Sequence, residues 1–414
     1  MQIPNQLILK KVYGETEKSV IRFRRLSQKY AETFGVSTME FFTAPGRTEI
    51  IGNHLDHNGG KVLAASINMD TIGAAYPNES EMIEIVSEGY DGKIVLDLNH
   101  LEQIPMNQGT ISLIAGMVKA VRTFGYSVSG FQAYISTEVI SSAGVSSSAS
   151  FEMLLCTMIN FFFNENKMDI VTFAKIGQYA ENHYWSKASG LMDQMACAAG
   201  GTILLDFHAG VHFQKIDFNF KQMGYQLVIV NTGRGHADLS REYSEIPEEM
   251  KQVANDMGCT RLCETSFENF EKQLPEMIAN LQNDRAILRA LHFFEENQRV
   301  DNIIEAISKM DHTEIVRILA EAGRSSCELL QNGYSIRNDK EQKITLCLAL
   351  TELFLKKIQA GCCRIHGGGF AGVIMCVLPK QFTGEYVRFM EPYVGKNQIY
   401  QMEIRQVGAV HLEK

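Results

Sequence analysis

Apolar side chains recur at helical spacing in some stretches of this chain and gather into short continuous runs in others, dividing it into blocks. Over residues 18–34, Val20, Phe23, Leu26 and Tyr30 fall on one side of an amphipathic helix. Residues 147–163 carry Phe151, Leu154, Leu155, Met158, Ile159 and Phe162 at helical spacing, which predicts a buried helix, and 170–185 predicts a second. The turn Asn58-Gly59-Gly60 opens a strand or hairpin arm over 61–75, Gly200-Gly201 opens a strand over 202–207, and 226–230 is a short apolar strand. From about 245 to 360 the pattern is mainly helical with Glu/Lys-rich faces, and strands return at 373–378 and 398–407. Strands and helices segregate in blocks instead of alternating, which predicts an α+β fold.

The length of 414 residues exceeds what one core usually supports. The strand-rich regions separate near 208–225, so an N-terminal domain over 1–210 and a C-terminal domain over 211–414 are expected. No repeat or Pro/Ser-rich linker cuts the chain, so the two would be tightly joined. With 45% hydrophobic and 21% charged residues the composition is globular. Lys and Arg number 39 against 48 Asp and Glu, a net charge of −9, which argues against a nucleic-acid partner. It leaves an anionic small molecule open, because local loops differ from the average. No stretch approaches the roughly 20 apolar residues of a membrane span. The start, MQIPNQLILKK, lacks the apolar core of a signal peptide. Nine Cys without a CxxC pair read as free thiols, and a cytoplasmic location is expected.

Four clusters carry candidate chemistry. Residues 45–60, PGRTEIIGNHLDHNGG, surround Arg47, His54, Asp56 and His57 with turn formers. Arg47 can clamp a phosphate through its planar fork, and Asp56 can accept from sugar hydroxyls. A solvated capping loop is the alternative. A metal site of HxHxDH type is another, weakened because Gly52 stands at the first His position. Residues 141–150, SSAGVSSSAS, open the helix that follows, where small residues, hydroxyls and unpaired amides suit a phosphate cradle. A Ser-rich helix cap is the alternative. The chain has no GxxxxGK[ST], and Ser148 stands where the second Gly of GxSxG would be. In the third cluster, Gly190-Leu191-Met192-Asp193-Gln194 preceded by Ala180-Glu181, Asp193 is expensive to bury unless paired; otherwise it is a helix cap. The fourth, His366-Gly367-Gly368-Gly369-Phe370-Ala371-Gly372, formally satisfies GxGxxG. It runs into a strand, however, so it reads as a glycine loop shaping a pocket wall and not as a dinucleotide fingerprint.

Together the clusters resemble the galactokinases, within the wider GHMP family of small-molecule kinases. Order and spacing match over nearly the whole chain. The family's GRVNLIGEHTDYNGG is matched by 46–60, GLSSSAS by 144–150, GIMDQ by 190–194 and GAGFGG by 367–372, with His292, Glu296, Asn297, Arg299 and Val300 a further match. The resemblance implies the two-domain GHMP fold with its active site in the interdomain cleft. It also implies an ATP- and Mg²⁺-dependent sugar 1-kinase acting on galactose or a close galacto-configured relative. Arg47 and Asp193 would then be catalytic. Ala143, Gly144, Val145, Ser146, Ser147 and Ser148 would cradle the ATP phosphates, and Ser148 and Glu181 would hold Mg²⁺. Asn53, His54, Asp56, Gly190 and Tyr243 would bind the sugar. The partners implied are the sugar and ATP, with no nucleic acid or membrane, in a monomer or weak homo-oligomer.

Three departures from the family pattern matter. Asn53 replaces a Glu near the C6 end of the sugar, which raises a galacturonate 1-kinase as an alternative. Ile140 and Ser142 stand where Pro and Gly are usual in the phosphate loop. Tyr243 precedes Ser244-Glu245-Ile246-Pro247 in place of an Arg-rich run. A non-catalytic galactokinase-like sugar sensor is the rival from another class, and retention of Arg47 and Asp193 argues against it.

Overall fold

A computed structural model describes residues 2–140, 144–187, 189–233 and 239–414. The strands are β1 (Glu40–Ile51), β2 (Lys61–Pro77), β3 (Met82–Ser87), β4 (Lys93–Asp97), β5 (Phe131–Thr137), β6 (Thr202–Asp206), β7 (His212–Ile216), β8 (Tyr225–Asn231), β9 (Cys362–His366), β10 (Val373–Pro379), β11 (Ile399–Met402) and β12 (Val410–Leu412). The helices are α1 (Gln6–Tyr13), α2 (Glu17–Phe34), α3 (Thr110–Thr123), α4 (Ser147–Phe163), α5 (Ile170–Tyr184), α6 (Met192–Ala199), α7 (Ser240–Asp256), α8 (Phe267–Leu281), α9 (Asp284–Ser308), α10 (His312–Ser325), α11 (Lys343–Ile358) and α12 (Thr383–Val394). The periodicities over 18–34, 147–163 and 170–185 correspond to α2, α4 and α5.

The first sheet runs β12-β1-β2-β5-β3-β4, with β6 also on β2 and β7 on β6. It is antiparallel except for β3 and β5. The long strand β2 changes partner along its length, pairing β6 over Lys61–Ala65 and β5 over Thr71–Pro77. The second sheet, β11-β8-β10-β9, is antiparallel. Val118, Leu154, Met158 and Ile176 of α3, α4 and α5 pack with Phe42, Ala133 and Ile135 of the first sheet. A second core is continuous from Ile50 and Leu63 through Ile229 and Met375 to Ile303 and Ile318, so the two sheets and the helical block share one apolar interior. The expected division at 210/211 falls within the β6–β7 hairpin, whose strands pair with each other. The first sheet therefore extends to Ile216, and it is rejoined by Val410–Leu412 at the edge of β1.

The strand expected over 398–407 is shorter, Ile399–Met402. Beyond it Arg405 turns inward, its Nη1 2.7 Å from Asp70 Oδ2 and its Nε donating to the Val407 carbonyl. This polar demand replaces the alternation of a strand. Asp70 is fully buried and also takes Arg22 at 2.8 Å, Tyr13 at 2.7 Å and Thr43 at 2.6 Å. Five segments of chain meet on one carboxylate. Burial alone would raise its pKa, but Arg22 and Arg405 bring it down to about 2.

Because the folded pKa is depressed, the stabilisation from Asp70 is present above the unfolded carboxyl value near 4 and is lost as pH falls towards about 2. Asp70→Asn leaves the buried Arg405 without a carboxylate partner, while the partly exposed Arg22 keeps Glu138 at 3.2 Å. It is expected to lower the unfolding free energy in urea titrations at pH 7 by about 3–5 kcal/mol.

Candidate active site

β1 carries Arg47 through an irregular stretch. Pro45 has no amide to give the ladder, and the register with β2 shifts between Pro45 and Arg47 and again between Glu49 and Ile51. The strand can approach the phosphate loop because residue 46 is glycine; a Cβ there would lie 2.7 Å from the Val145 carbonyl oxygen. Arg47 N donates to that oxygen at 3.1 Å. Arg47 is 5% exposed. Its Nε and Nη2 reach the two oxygens of Asp193 at 2.7 Å each, a bidentate pair, and its Nη1 donates to the Gly144 carbonyl. Asp193 lies in the first turn of α6 and accepts also from Ser146 Oγ. Burial alone would raise its pKa, but Arg47, with Lys187 and Ser146, brings it down to about 2.

The loop before α4 is held in left-handed backbone, with φ +63° at Gly144 and +58° at Ser146. Ser146 is the residue ahead of the helix, yet its hydroxyl goes to Asp193 and makes no cap bond. The first-turn amides of α4 thus have no side-chain cap and face the cleft with the positive end of the helix dipole. Ser147 and Ser148 line that cleft. Ser148 Oγ donates to Glu181 Oε1 at 2.8 Å. Val145 is wholly buried and contributes its carbonyl to Arg47 instead of lining the cleft. Ile140 lines the wall. Ala143 and Ser142 lie outside the described residues.

The cleft has a volume of about 490 Å³ and joins Arg47, Asp193 and the α4 start to Asn53, His54, Asp56, Gly190 and Tyr243. Gly190 has a steric reason: a Cβ there would sit 1.7 Å from Asp56 Oδ2. His54 has φ +61°, and its Nε2 is 3.0 Å from the Gly368 carbonyl, which can only accept. Burial lowers its pKa to about 3, so the ring is neutral, Nε2 carries the proton and Nδ1 is an acceptor. Tyr243, in the first turn of α7, packs its ring 5.0 Å from that of His54, and burial together with Asp56 raises its pKa. His54, Asp56 and His57 do not gather around a metal position, and no cluster of three or more His, Cys, Asp or Glu suited to a metal occurs among the described residues.

Asn53 is 1% exposed, and its amide is oriented by its neighbours. Nδ2 donates to Glu49 Oε2 at 3.0 Å and to the Gly367 carbonyl at 2.8 Å, while Oδ1 accepts from Asn332 Nδ2 at 2.9 Å. Glu49 is itself ion-paired with the fully buried Arg364. Around them His292 Nε2 meets the Asn53 carbonyl at 3.0 Å, and His366 Nε2 meets Thr48 Oγ1 at 2.9 Å. Burial lowers the pKa of both rings.

Comparison with known proteins bears on this arrangement. Residues 28–77 match the family profile described as the galactokinase galactose-binding signature, and residues 112–201 match the GHMP kinases N terminal domain. A galactokinase of Clostridium tetani is 29% identical over 370 residues, 87% of this chain and 89% of that protein. One of Lactococcus lactis subsp. lactis is 29% identical over 391 residues, 91% of each. The crystal structure of Lactococcus lactis galactokinase complexed with galactose superposes with a TM-score of 0.80 at 25% identity, covering 94% of this chain and 99% of that one. The chain is thus similar to galactokinases, and to GHMP kinases more widely, over most of its length. The fold extends to a mevalonate kinase, with a TM-score of 0.62 at 15% identity over 88% of this chain and 99% of that one.

Within the site, three features escape the sequence reading. Set against GRVNLIGEHTDYNGG, the chain carries Glu49 and Asn53 where the motif has Asn and Glu, so carboxylate and amide have exchanged places. The exchange was visible in the motif, but its meaning depends on Arg364, which is 315 residues away in sequence. Asn332, which orients Asn53, follows α10 and belongs to no motif. Lys187, with its Nζ 2.6 Å from Glu181 Oε1, is a lone cation between two motifs.

Two expectations follow from this packing. Gly190→Ala pushes Asp56 aside and is expected to raise the sugar KM at least about tenfold, with the ATP KM within about twofold, in steady-state assays. His54, His292 and His366 are held neutral below their ordinary pKa. Their stabilisation is therefore present above about pH 6.5 and lost as pH falls further. Thermal melts should drop steadily from pH 7 to pH 5, and replacing His292 with Gln should flatten part of that slope.

Proposed function

We propose that this protein transfers the γ-phosphoryl group of ATP to the anomeric hydroxyl of galactose, giving galactose 1-phosphate. The observation that carries the reading is the bidentate Arg47–Asp193 pair, set between the uncapped start of α4 and the polar pocket of His54, Asp56 and Tyr243. Phosphoryl transfer needs alignment and charge neutralisation more than covalent chemistry, and these residues supply both. Asp193, ionised at neutral pH, accepts a hydrogen bond from the anomeric O–H. With a pKa of about 2 it is a weak base towards a free hydroxyl. It takes the proton only as the sugar oxygen bonds to phosphorus and becomes acidic. The O–P bond to the sugar forms, the O–P bond to ADP breaks, and the proton passes to an Asp193 oxygen. Arg47 keeps Asp193 ionised and lies where charge builds on the moving group.

Ser148 Oγ and Glu181 Oε1, 2.8 Å apart beside the phosphate loop, are hard oxygen donors of the kind that share Mg²⁺ with nucleotide phosphates. Bound there, the ion would neutralise phosphate charge and align the triphosphate. The nine free thiols support a reducing, cytoplasmic setting.

The amide of Asn53 favours galactose over galacturonate. Both of its N–H groups are taken by Glu49 and Gly367, so what it can offer a ligand is an acceptor lone pair on Oδ1. Such an acceptor takes a hydroxymethyl O–H and repels a carboxylate. A non-catalytic sensor would have no need of the Arg47–Asp193 pair.

The test is a panel of free sugars assayed for ADP release, with the product's phosphate position read by NMR. Galactose is expected to exceed galacturonate in kcat/KM by about 100-fold or more. Absence of turnover with every hexose and uronate overturns the kinase reading. Asp193→Asn should hold the galactose Kd within about tenfold in calorimetry while kcat falls about 1000-fold or more.

A further inference from the structure

Lys187 lies in the segment between α5 and α6, outside every motif considered above, and lines the cleft. Its Nζ is 2.6 Å from Glu181 Oε1, the same oxygen that accepts from Ser148 at 2.8 Å. The two partners differ in freedom. The Glu181 side chain is 1% exposed, and its other oxygen is held by Gln194 Nε2 at 3.3 Å. The Lys187 side chain is 47% exposed, on a flexible four-carbon stem. Among the described residues, Lys187 is the cation paired with Glu181. Glu152, buried behind Gln194, adds a further carboxyl to that neighbourhood.

An ammonium and a divalent ion compete for this oxygen, because two cations drawn to the same carboxylate at such short range repel each other. We propose that Lys187 is a mobile counter-ion of the nucleotide site: it neutralises Glu181 while the site is open, and turns from Glu181 to the phosphate oxygens when metal-bound ATP occupies it. Lys187 is thereby a positioning residue for the triphosphate. The same charge opposes metal binding alone and favours metal–nucleotide binding. This inference rests on the kinase reading above.

The opposed signs give the test. Mn²⁺ alone is titrated into the wild-type protein and into Lys187→Gln and Lys187→Arg, with free Mn²⁺ read by electron paramagnetic resonance in the absence of nucleotide. The ATP KM of each is measured at saturating galactose and Mg²⁺. Lys187→Gln is expected to bind Mn²⁺ about tenfold more tightly and to show an ATP KM about tenfold higher, with the galactose Kd unchanged. Lys187→Arg, which keeps the charge, should stay within about threefold of wild type in both. The proposal is overturned if Lys187→Gln leaves both constants within about twofold of wild type, or moves both the same way as a general loosening of the loop would. Failure of the kinase reading appears separately, as absence of turnover in the wild type.

Discussion

A buried guanidinium on β1 sets the terms for the rest of the site. Isolating such a charge from water costs several kcal/mol, so every face of the Arg47 fork needs an acceptor. Asp193 takes two of its N–H groups and the Gly144 carbonyl a third. Meeting those needs draws a strand, a loop and a helix start from three distant stretches of sequence onto one point. Gly46 permits the approach, and the left-handed backbone at Gly144 and Ser146 turns the loop to it. The bonds that satisfy Arg47 are also those that ionise Asp193, which in turn takes the Ser146 hydroxyl away from capping α4. Packing and chemistry here are one set of contacts.

A second layer of polar contacts fastens the two sheets in register. Arg364, on β9, pairs with Glu49 and donates to the carbonyls of Glu49 and Ile50 at 3.2 and 2.7 Å. His366 reaches Thr48, His54 reaches Gly368, and His292 reaches the Asn53 carbonyl. Apolar contact alone would hold β1 and β9 together without specifying their offset. Directional bonds between buried, fully oriented partners do specify it. The cleft lies beside this seam, so the spacing between the pocket of His54, Asp56 and Tyr243 and the α4 amides depends on these bonds.

The sequence disclosed the parts whose information is local. Helical spacing marked α2, α4 and α5, and four glycine- and serine-rich clusters marked most of the cleft wall. α3 went unseen because it is buried almost all round, with Leu113, Ile114, Ala115, Gly116, Met117 and Val118 giving no polar face to frame a stripe. β3 and the edge strand β4 are short and partly exposed, with too few residues for alternation to mark them. The return of β12 to β1 and the pairing of Arg364 with Glu49 join residues hundreds of positions apart, and no local pattern encodes them. Lys187 was invisible for the opposite reason: a single lysine in a loop looks like any solvated charge until Glu181 is found beneath it.

The reading of Asn53 shows what three-dimensional context adds to a motif. Taken alone, an Asn in place of a Glu is a missing negative charge, and a missing charge invites an anionic substrate. In the fold the charge has moved four residues back along β1 to Glu49, where Arg364 neutralises it and Asn53 donates to it. Two carboxylates at positions 49 and 53 would stand within hydrogen-bond distance and repel, so a Glu at one position favours a neutral partner at the other. The substitution therefore conserves the local charge, pairs it with Arg364 and leaves an oriented acceptor at position 53. Specificity here depends less on which residue faces the sugar than on which hydrogen-bonding valence its neighbours leave unfilled.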